Sequence, residues 1–186
     1  MTSDEATLAI IDLLESQQVP YMVVGSFSSN YYGVPRSTKD ADFVIQLEVS
    51  AVRPLAEKLG DQFRLDPQPA FETVTMTISQ KLEVVDIPFK IELFHLSEDA
   101  HDQERFRRRR QVQLGRRRVW LPTAEDVIVT KLRWIRQGAR SKDWDDVRNV
   151  IAVQTDKLDW DYVYSWCDRH GTRVTLDEIR QSIPPI

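Results

Sequence analysis

The chain has a single cysteine, Cys167, so an intrachain disulfide is impossible. Together with an acidic start, Met1-Thr2-Ser3-Asp4-Glu5, that does not read as a cleavable leader, this sets the expectation of a reducing, cytoplasmic compartment. No apolar run approaches the roughly 20 residues that a helix needs to cross a bilayer, so no membrane partner is expected. The three histidines, His95, His101 and His170, lack the short spacing of zinc ligands, which argues against a zinc site. Internal repeats, low-complexity tracts and long linkers are also missing, and 186 residues suit a single structural unit with a proper core. Hydrophobic content of 41% and charged content of 29% are those of an ordinary globular chain.

Acids are absent from one stretch in particular. Arg105, Arg107, Arg108, Arg109, Arg110, Arg116, Arg117 and Arg118 follow one another with no Asp or Glu among them. Set against a formal net charge of −4, those eight leave −12 for the rest of the chain. The expectation is a strong local basic patch, which is either a solvated hairpin face or a surface that steers an anionic acceptor such as tRNA.

Near-helical apolar spacing over 4–17, with Thr2 and Glu5 in capping-box positions, predicts a first amphipathic helix. Tyr21–Val24, bounded by Pro20 and Gly25, reads as a buried strand, and a brief helix over Ser26–Tyr32 ends at Gly33 and Pro35. From Asp40 to Leu47 the alternation sends Ala41, Phe43, Ile45 and Leu47 one way, and Asp40, Asp42, Val44 and Gln46 the other. A second helix is predicted over 49–59, ended by Gly60, then a third strand or hairpin arm over Phe71–Ile78. Leu82–Leu96 is strand-rich, broken at Pro88, with Phe89, Ile91 and Leu93 opposite Lys90, Glu92 and Phe94. The arginine-rich part reads as a hairpin turning near Gly115. Helices follow from the Thr123 cap to Ile135, over Ser141–Val153, and over Trp160–Arg169, stopped by Gly171. A last short one is expected from a Thr175/Glu178 capping box. The order implies a mixed α/β core over 1–121 and a helical annex over 122–186 packed on it.

Asp40 and Asp42 carry the sharpest chemistry. Carboxylates at i and i+2 share a face only on a strand, and at about 4 Å they repel by roughly 4 kcal/mol at an effective dielectric near 20, so the pair either faces solvent or wants a cation. Carboxylate oxygens are the hard ligands that Mg²⁺ takes, together with substrate phosphates. Gly25-Ser26, directly after a buried strand, is either a common strand-to-helix turn or a phosphate cradle: glycine allows close approach, and the helix N-terminus and the Ser26 hydroxyl hold anionic oxygens. Two-metal phosphoryl chemistry also needs a third acid from a neighbouring strand. Glu92, between Ile91 and Leu93, fits; Asp86, between Val85 and Ile87, is the rival.

These residues resemble the polymerase-β-like nucleotidyltransferase superfamily. The likeness lies in Gly25-Ser26, then Gly33-x-Pro35-Arg36-x-Thr38-x-Asp40-x-Asp42, then Ile91-Glu92-Leu93-Phe94. More narrowly, the chain is similar to the bacterial group that includes the toxins of type IV toxin–antitoxin systems, also through Glu125-Asp126-Val127-Ile128-x-x-Lys131-Leu132 and Arg140-x-Lys142-Asp143-x-x-Asp146-Val147. Ser26 stands where that group often has a second glycine, Tyr32 where it often has histidine, and Glu92 where aspartate is commoner. The resemblance implies an α/β polymerase-β-like nucleotidyltransferase fold, a mixed sheet flanked by helices with a C-terminal helical annex. It further implies Mg²⁺-dependent transfer of a nucleoside monophosphate from an NTP to an acceptor hydroxyl, with release of pyrophosphate. Asp40, Asp42 and Glu92 would hold two Mg²⁺ ions, Glu92 would help deprotonate the acceptor, and Gly25 and Ser26 would cradle phosphates. Lys131 is either a triphosphate ligand or a solvated helix lysine; Arg36 and Lys39 assist with phosphate or balance charge. Asp143 and Asp146 position a base or acceptor, or pair with Arg140 or Lys142.

The acceptor stays open between tRNA or other RNA, reached through Arg107, Arg108, Arg109 and Arg110, another protein, and a small hydroxylated molecule such as an aminoglycoside. A non-catalytic nucleotide- or RNA-binding protein, or one paired with an antitoxin, are the remaining expectations. Trp134, Trp144 and Trp160 sit at helical core spacings and are expected to pack, and Cys167, beside Trp166, to be inert.

Overall fold

Alternating apolar residues bounded by proline and glycine become a sheet whose two faces differ sharply. The computed structural model describes residues 1–114, 117–138 and 141–184; the expected turn at Gly115, and Arg116 and Arg140, lie outside them. Helix α1 (Ser3–Ser16) starts on the predicted box: Thr2 accepts from the Glu5 amide, and Glu5 accepts from the Thr2 amide at 2.8 Å. Strand β1 (Tyr21–Val24) leads into α2 (Gly25–Tyr32), then β2 (Asp40–Ile45), α3 (Val52–Glu57), β3 (Phe63–Leu65), β4 (Ala70–Glu72), β5 (Thr77–Val84) and β6 (Lys90–His95). Helix α4 (Ala100–Arg108) and the ribbon β7 (Arg110–Leu114) and β8 (Arg117–Leu121) follow. Helices α5 (Ala124–Gln137), α6 (Ser141–Gln154), α7 (Trp160–His170) and α8 (Arg173–Gln181) complete the chain.

The main sheet runs β1-β2-β6-β5-β3, with β4 also paired to β5. It is mixed, because β2 and β6 are parallel and every other pairing is antiparallel. Its back face, with Tyr21, Val23, Ala41, Phe43, Ile45, Ile91, Leu93 and Leu82, packs with Ile10, Ile11 and Leu14 of α1 and Val52 and Leu55 of α3 in one buried cluster. A second cluster joins α5, α6, α7 and α8 through residues such as Ile128, Leu132, Val147, Val163, Cys167, Leu176 and Ile179. Tyr32 of α2 binds the two parts: its hydroxyl donates to the Pro122 carbonyl at 2.8 Å, and its own carbonyl accepts from the Gln154 amide.

Three expectations need correction. Phe71–Ile78 is not one arm: the chain turns at 73–76, where the Glu72 carboxylate accepts from the Val74 and Thr75 amides and the Thr75 hydroxyl, and Met76 takes a φ of 56°. The front of the arginine run is helical, not hairpin. Asp99 caps α4 through the His101 and Asp102 amides, so Arg105, Arg107 and Arg108 lie on a helix and only Arg110 onward forms the ribbon. The last helix begins at Arg173, which puts Thr175 inside it and removes the expected capping box.

Candidate active site

The front face of the sheet carries the polar half of the alternation. Asp42 lies opposite Glu92 in the parallel β2/β6 register, and Asp40 opposite Lys90. Adjacent strands are about 5 Å apart, so Asp40, Asp42 and Glu92 share one face within short reach. Asp86, the rival third acid, sits in the exposed turn between β5 and β6 and does not border the cavity. That cavity, of about 380 Å³, is lined by all three carboxylates, Gly25, Ser26 and Ser28 at the start of α2, Ser79 and Lys81 of β5, Lys131 and Trp134 of α5, and Lys142 and Asp143 of α6.

Gly25 has two reasons to be glycine. Its φ is +61°, and a Cβ there would come within 1.9 Å of Asp42 Oδ2. The Asp42 carboxylate therefore packs directly against the first turn of α2, whose unpaired backbone amides favour anions. Thr38 Oγ1 donates to Asp40 Oδ1 at 2.6 Å and orients it. Glu92 Oε1 accepts from Ser79 Oγ at 2.7 Å, with Lys81 Nζ 3.8 Å away. Burial pushes the Asp42 carboxyl up to about 7, the charges of Asp40 and Glu92 add to this, and Lys131 and Lys142 oppose it.

A second group of charges braces the site from behind. Arg36 grips Asp146 with Nε and Nη2, each at 2.8 Å, and Nη2 also donates to Ser26 Oγ at 3.0 Å. Lys131 Nζ lies 2.7 Å from Asp146 and 2.8 Å from Asp143, and Ser29 Oγ donates to Asp146. Burial alone would raise the Asp146 carboxyl, but the Arg36 hydrogen bonds and the Lys131 charge win and hold it low. Lys131 is thus buried and bridged rather than solvated, and Asp143 and Asp146 pair with it and with Arg36, not with Lys142. Arg36 and Lys39 are not on the cavity wall; Lys39 is exposed. Among the described residues Asp143 Oδ2 is buried without a hydrogen-bond partner.

Sequence reasoning quoted Thr38 within the motif but gave it no role, and did not single out Ser79 or Lys81, because polar residues alternating along a strand carry no motif. Trp134, expected in the core, instead borders the cavity, while Trp144 and Trp160 pack against the helical cluster.

The arginines go elsewhere. Arg105 is buried against Asp102 at 2.5 Å, Arg107 pairs with Glu104 at 2.7 Å, and Arg117 pairs with Asp12. Arg108 reaches Glu125 and the buried Asp126 and lies over the Tyr162 ring. Arg109 stacks on Phe106 at 4.0 Å and Trp120 at 5.0 Å. The expected unrelieved basic patch is largely neutralised: Asp102 and Glu104, just before the run, take Arg105 and Arg107, while Glu125, Asp126 and Asp12, distant in sequence, take Arg108 and Arg117. Arg110 and Arg118 remain at exposed positions.

A fit to Mg²⁺ can be judged from the donor set. Among the described residues no three acidic, histidine or cysteine side chains form a closed cage. An ion that keeps waters and shares its shell between one or two carboxylates and substrate phosphates needs none. Burial first, and then the charges of Asp40 and Glu92, disfavour a bare Asp42 carboxylate, a cost that a nearby cation would offset.

No family model and no curated protein sequence matches the chain. Solved structures do. The crystal structure of ANT(2'')-Ia in complex with adenylyl-2''-tobramycin is similar with a TM-score of 0.65 and 13% identity, covering 91% of this chain and 97% of that one. The lincomycin-bound lincosamide antibiotic adenylyltransferase LnuA is similar at 0.54 and 12%, over 80% and 96%. An antigenic nucleotidyltransferase-like protein from Paracoccidioides brasiliensis gives 0.54 and 14%, over 97% and 93%. The chain has the nucleotidyltransferase fold, a mixed sheet flanked by helices.

Proposed function

We propose that the protein transfers a nucleoside monophosphate from an NTP to a hydroxyl of a small, polyhydroxylated, cationic acceptor, releasing pyrophosphate. The observation that carries this reading is the set of Asp40, Asp42 and Glu92 on one face of β2 and β6, facing the first turn of α2, in a nucleotidyltransferase fold.

The triphosphate would lie against Gly25 and Ser26, where the backbone comes close and the α2 amides meet its oxygens. Asp40 and Asp42, with Glu92, would hold Mg²⁺; bound there, one or two ions would offset phosphate charge and ease ionisation of the acceptor hydroxyl. Glu92 takes the acceptor proton. Lys131 and Lys142 face the same cavity with positive charge, and the Arg36–Asp146–Lys131 brace fixes α2 against α6 and α5, so the anion-binding turn does not shift relative to the carboxylates. Trp134 supplies an apolar wall.

Acceptor class follows from charge. The cavity wall has six carboxylates against four cationic side chains, and two of the four, Arg105 and Lys131, are already held by Asp102 and by Asp143 and Asp146. Metal ions that come with the NTP would offset Asp40, Asp42 and Glu92; beyond them the described wall offers few free cationic side chains to hold a polyanionic acceptor, which favours a small one. Two proteins of similar structure are seen with small antibiotics, ANT(2'')-Ia with adenylyl-2''-tobramycin and LnuA with lincomycin. RNA is the second reading, favoured only by the exposed Arg110 and Arg118.

The test is incubation with each NTP, Mg²⁺ and, separately, an aminoglycoside panel, a lincosamide panel, total tRNA and total protein, read by mass spectrometry. Addition of one nucleotide to a small amine-bearing polyol supports the reading. Modification confined to tRNA would replace the acceptor class.

A further inference from the structure

Glu92 needs help that an aspartate would not. Glutamate has one more rotatable bond, and a carboxylate meant to meet both an ion and an acceptor has to be held in one rotamer. The sheet supplies the holder. Lys81 is the direct cross-strand partner of Glu92 in the antiparallel β5/β6 register, and Ser79, two residues along β5, projects from the same face. Ser79 is 1% exposed, and its hydroxyl donates to Glu92 Oε1 at 2.7 Å. Lys81 Nζ stands 3.8 Å from that same oxygen. Both contacts fall on Oε1, which leaves Oε2 for the cavity.

We propose that Ser79 and Lys81 form a bracket on β5 that locks the Glu92 carboxylate with Oε2 directed at the reacting groups, making both positioning residues for the acceptor side of the reaction. The inference rests on the reading of Glu92 as the third carboxylate of a transfer site.

The test uses the full chain with Glu92→Gln, Glu92→Asp, Ser79→Ala, Ser79→Thr, Lys81→Met and Lys81→Arg, and the double variant Ser79→Ala/Glu92→Asp. Two quantities are read: nucleotidyl transfer to the acceptor, split into kcat and KM, and Mn²⁺ affinity in the presence of a non-hydrolysable NTP analogue, from loss of the free-ion paramagnetic resonance signal. Melting temperature confirms folding. Ser79→Ala and Lys81→Met are each expected to lower kcat about tenfold, with KM for the NTP within about twofold and weaker Mn²⁺ binding, since small misplacements of a reacting group are costly. Ser79→Thr and Lys81→Arg restore most of the loss. In the Glu92→Asp background Ser79→Ala costs nothing further, because the group it held no longer reaches it. Full additivity in that double variant, or losses that appear in KM for the NTP alone, overturns the bracket. If Glu92→Gln itself leaves both quantities unchanged, the assignment of Glu92 fails instead. If only the β5 variants are silent, Glu92 stands and the bracket falls.

Discussion

Gly25 concentrates more constraint than any other residue of the site. A side chain there would meet Asp42 Oδ2 at 1.9 Å and would have to adopt a φ of +61°. Gly25→Ala is expected to push Asp42 off its position and destabilise the fold by roughly 1–3 kcal/mol, while reducing transfer at least about 100-fold; denaturant melts and initial rates check both halves. Asp42 itself should govern the pH response of the metal-free protein. Its folded value near 7 exceeds that of an unfolded aspartate, so the folded state binds the extra proton between those values. This contribution to stability is fully present below about pH 4, is lost as pH rises through 7, and amounts to at most about 4 kcal/mol. Melting temperature without Mg²⁺ is therefore expected to fall between pH 5 and 8 relative to Asp42→Asn, which lacks the titration; parallel curves would show that Asp42 is not the group.

At the scale of elements, Arg133 of α5 joins three pieces of the cavity wall. It pairs with Asp99, the cap of α4, at 2.8 and 2.9 Å and donates to the Val74 carbonyl in the β4–β5 turn at 2.7 Å. Arg133→Ala is expected to cost about 2–3 kcal/mol, from the loss of hydrogen bonds to a charged group, read as a lower denaturation midpoint with an unchanged slope. How much of this was legible in the sequence varied with the range of the interaction. The alternation over 40–47 placed Asp40 and Asp42 on one face and their apolar neighbours in the core, and the Thr2, Thr123 and Gly171 signals marked helix ends where they occur. Parity also set Glu92 apart from Ile91 and Leu93, though only the β2/β6 register brings it beside Asp42. Helix α4 escaped notice because it is strongly polar, its few buried residues including charged Asp102 and Arg105, with no apolar stripe to announce it. The 73–76 turn escaped because side-chain hydrogen bonds from Glu72, not glycine or proline, close it.

Over the whole molecule, charge near and far in sequence relieves the arginine run. Eight arginines with no acid among them allowed an RNA surface as one reading, yet Arg105 and Arg107 pair with Asp102 and Glu104 of their own helix, and Arg108 and Arg117 reach Glu125, Asp126 and Asp12 on other elements. The described cavity wall carries more carboxylates than cationic side chains. Neutralising Arg110 and Arg118 together is expected to leave transfer to a small cationic acceptor within about twofold and its salt dependence flat, whereas an RNA acceptor would lose affinity steeply with added salt. The central claim is that Asp40, Asp42 and Glu92 support transfer of the α-phosphorus of an NTP. Parallel reactions with α-labelled and γ-labelled NTP, Mg²⁺ and the acceptor panel test it most directly. The α label is expected to become acceptor-bound and the γ label to leave as pyrophosphate, both abolished in Asp42→Ala; label moving from the γ position to the acceptor, or transfer surviving in Asp42→Ala, would contradict it.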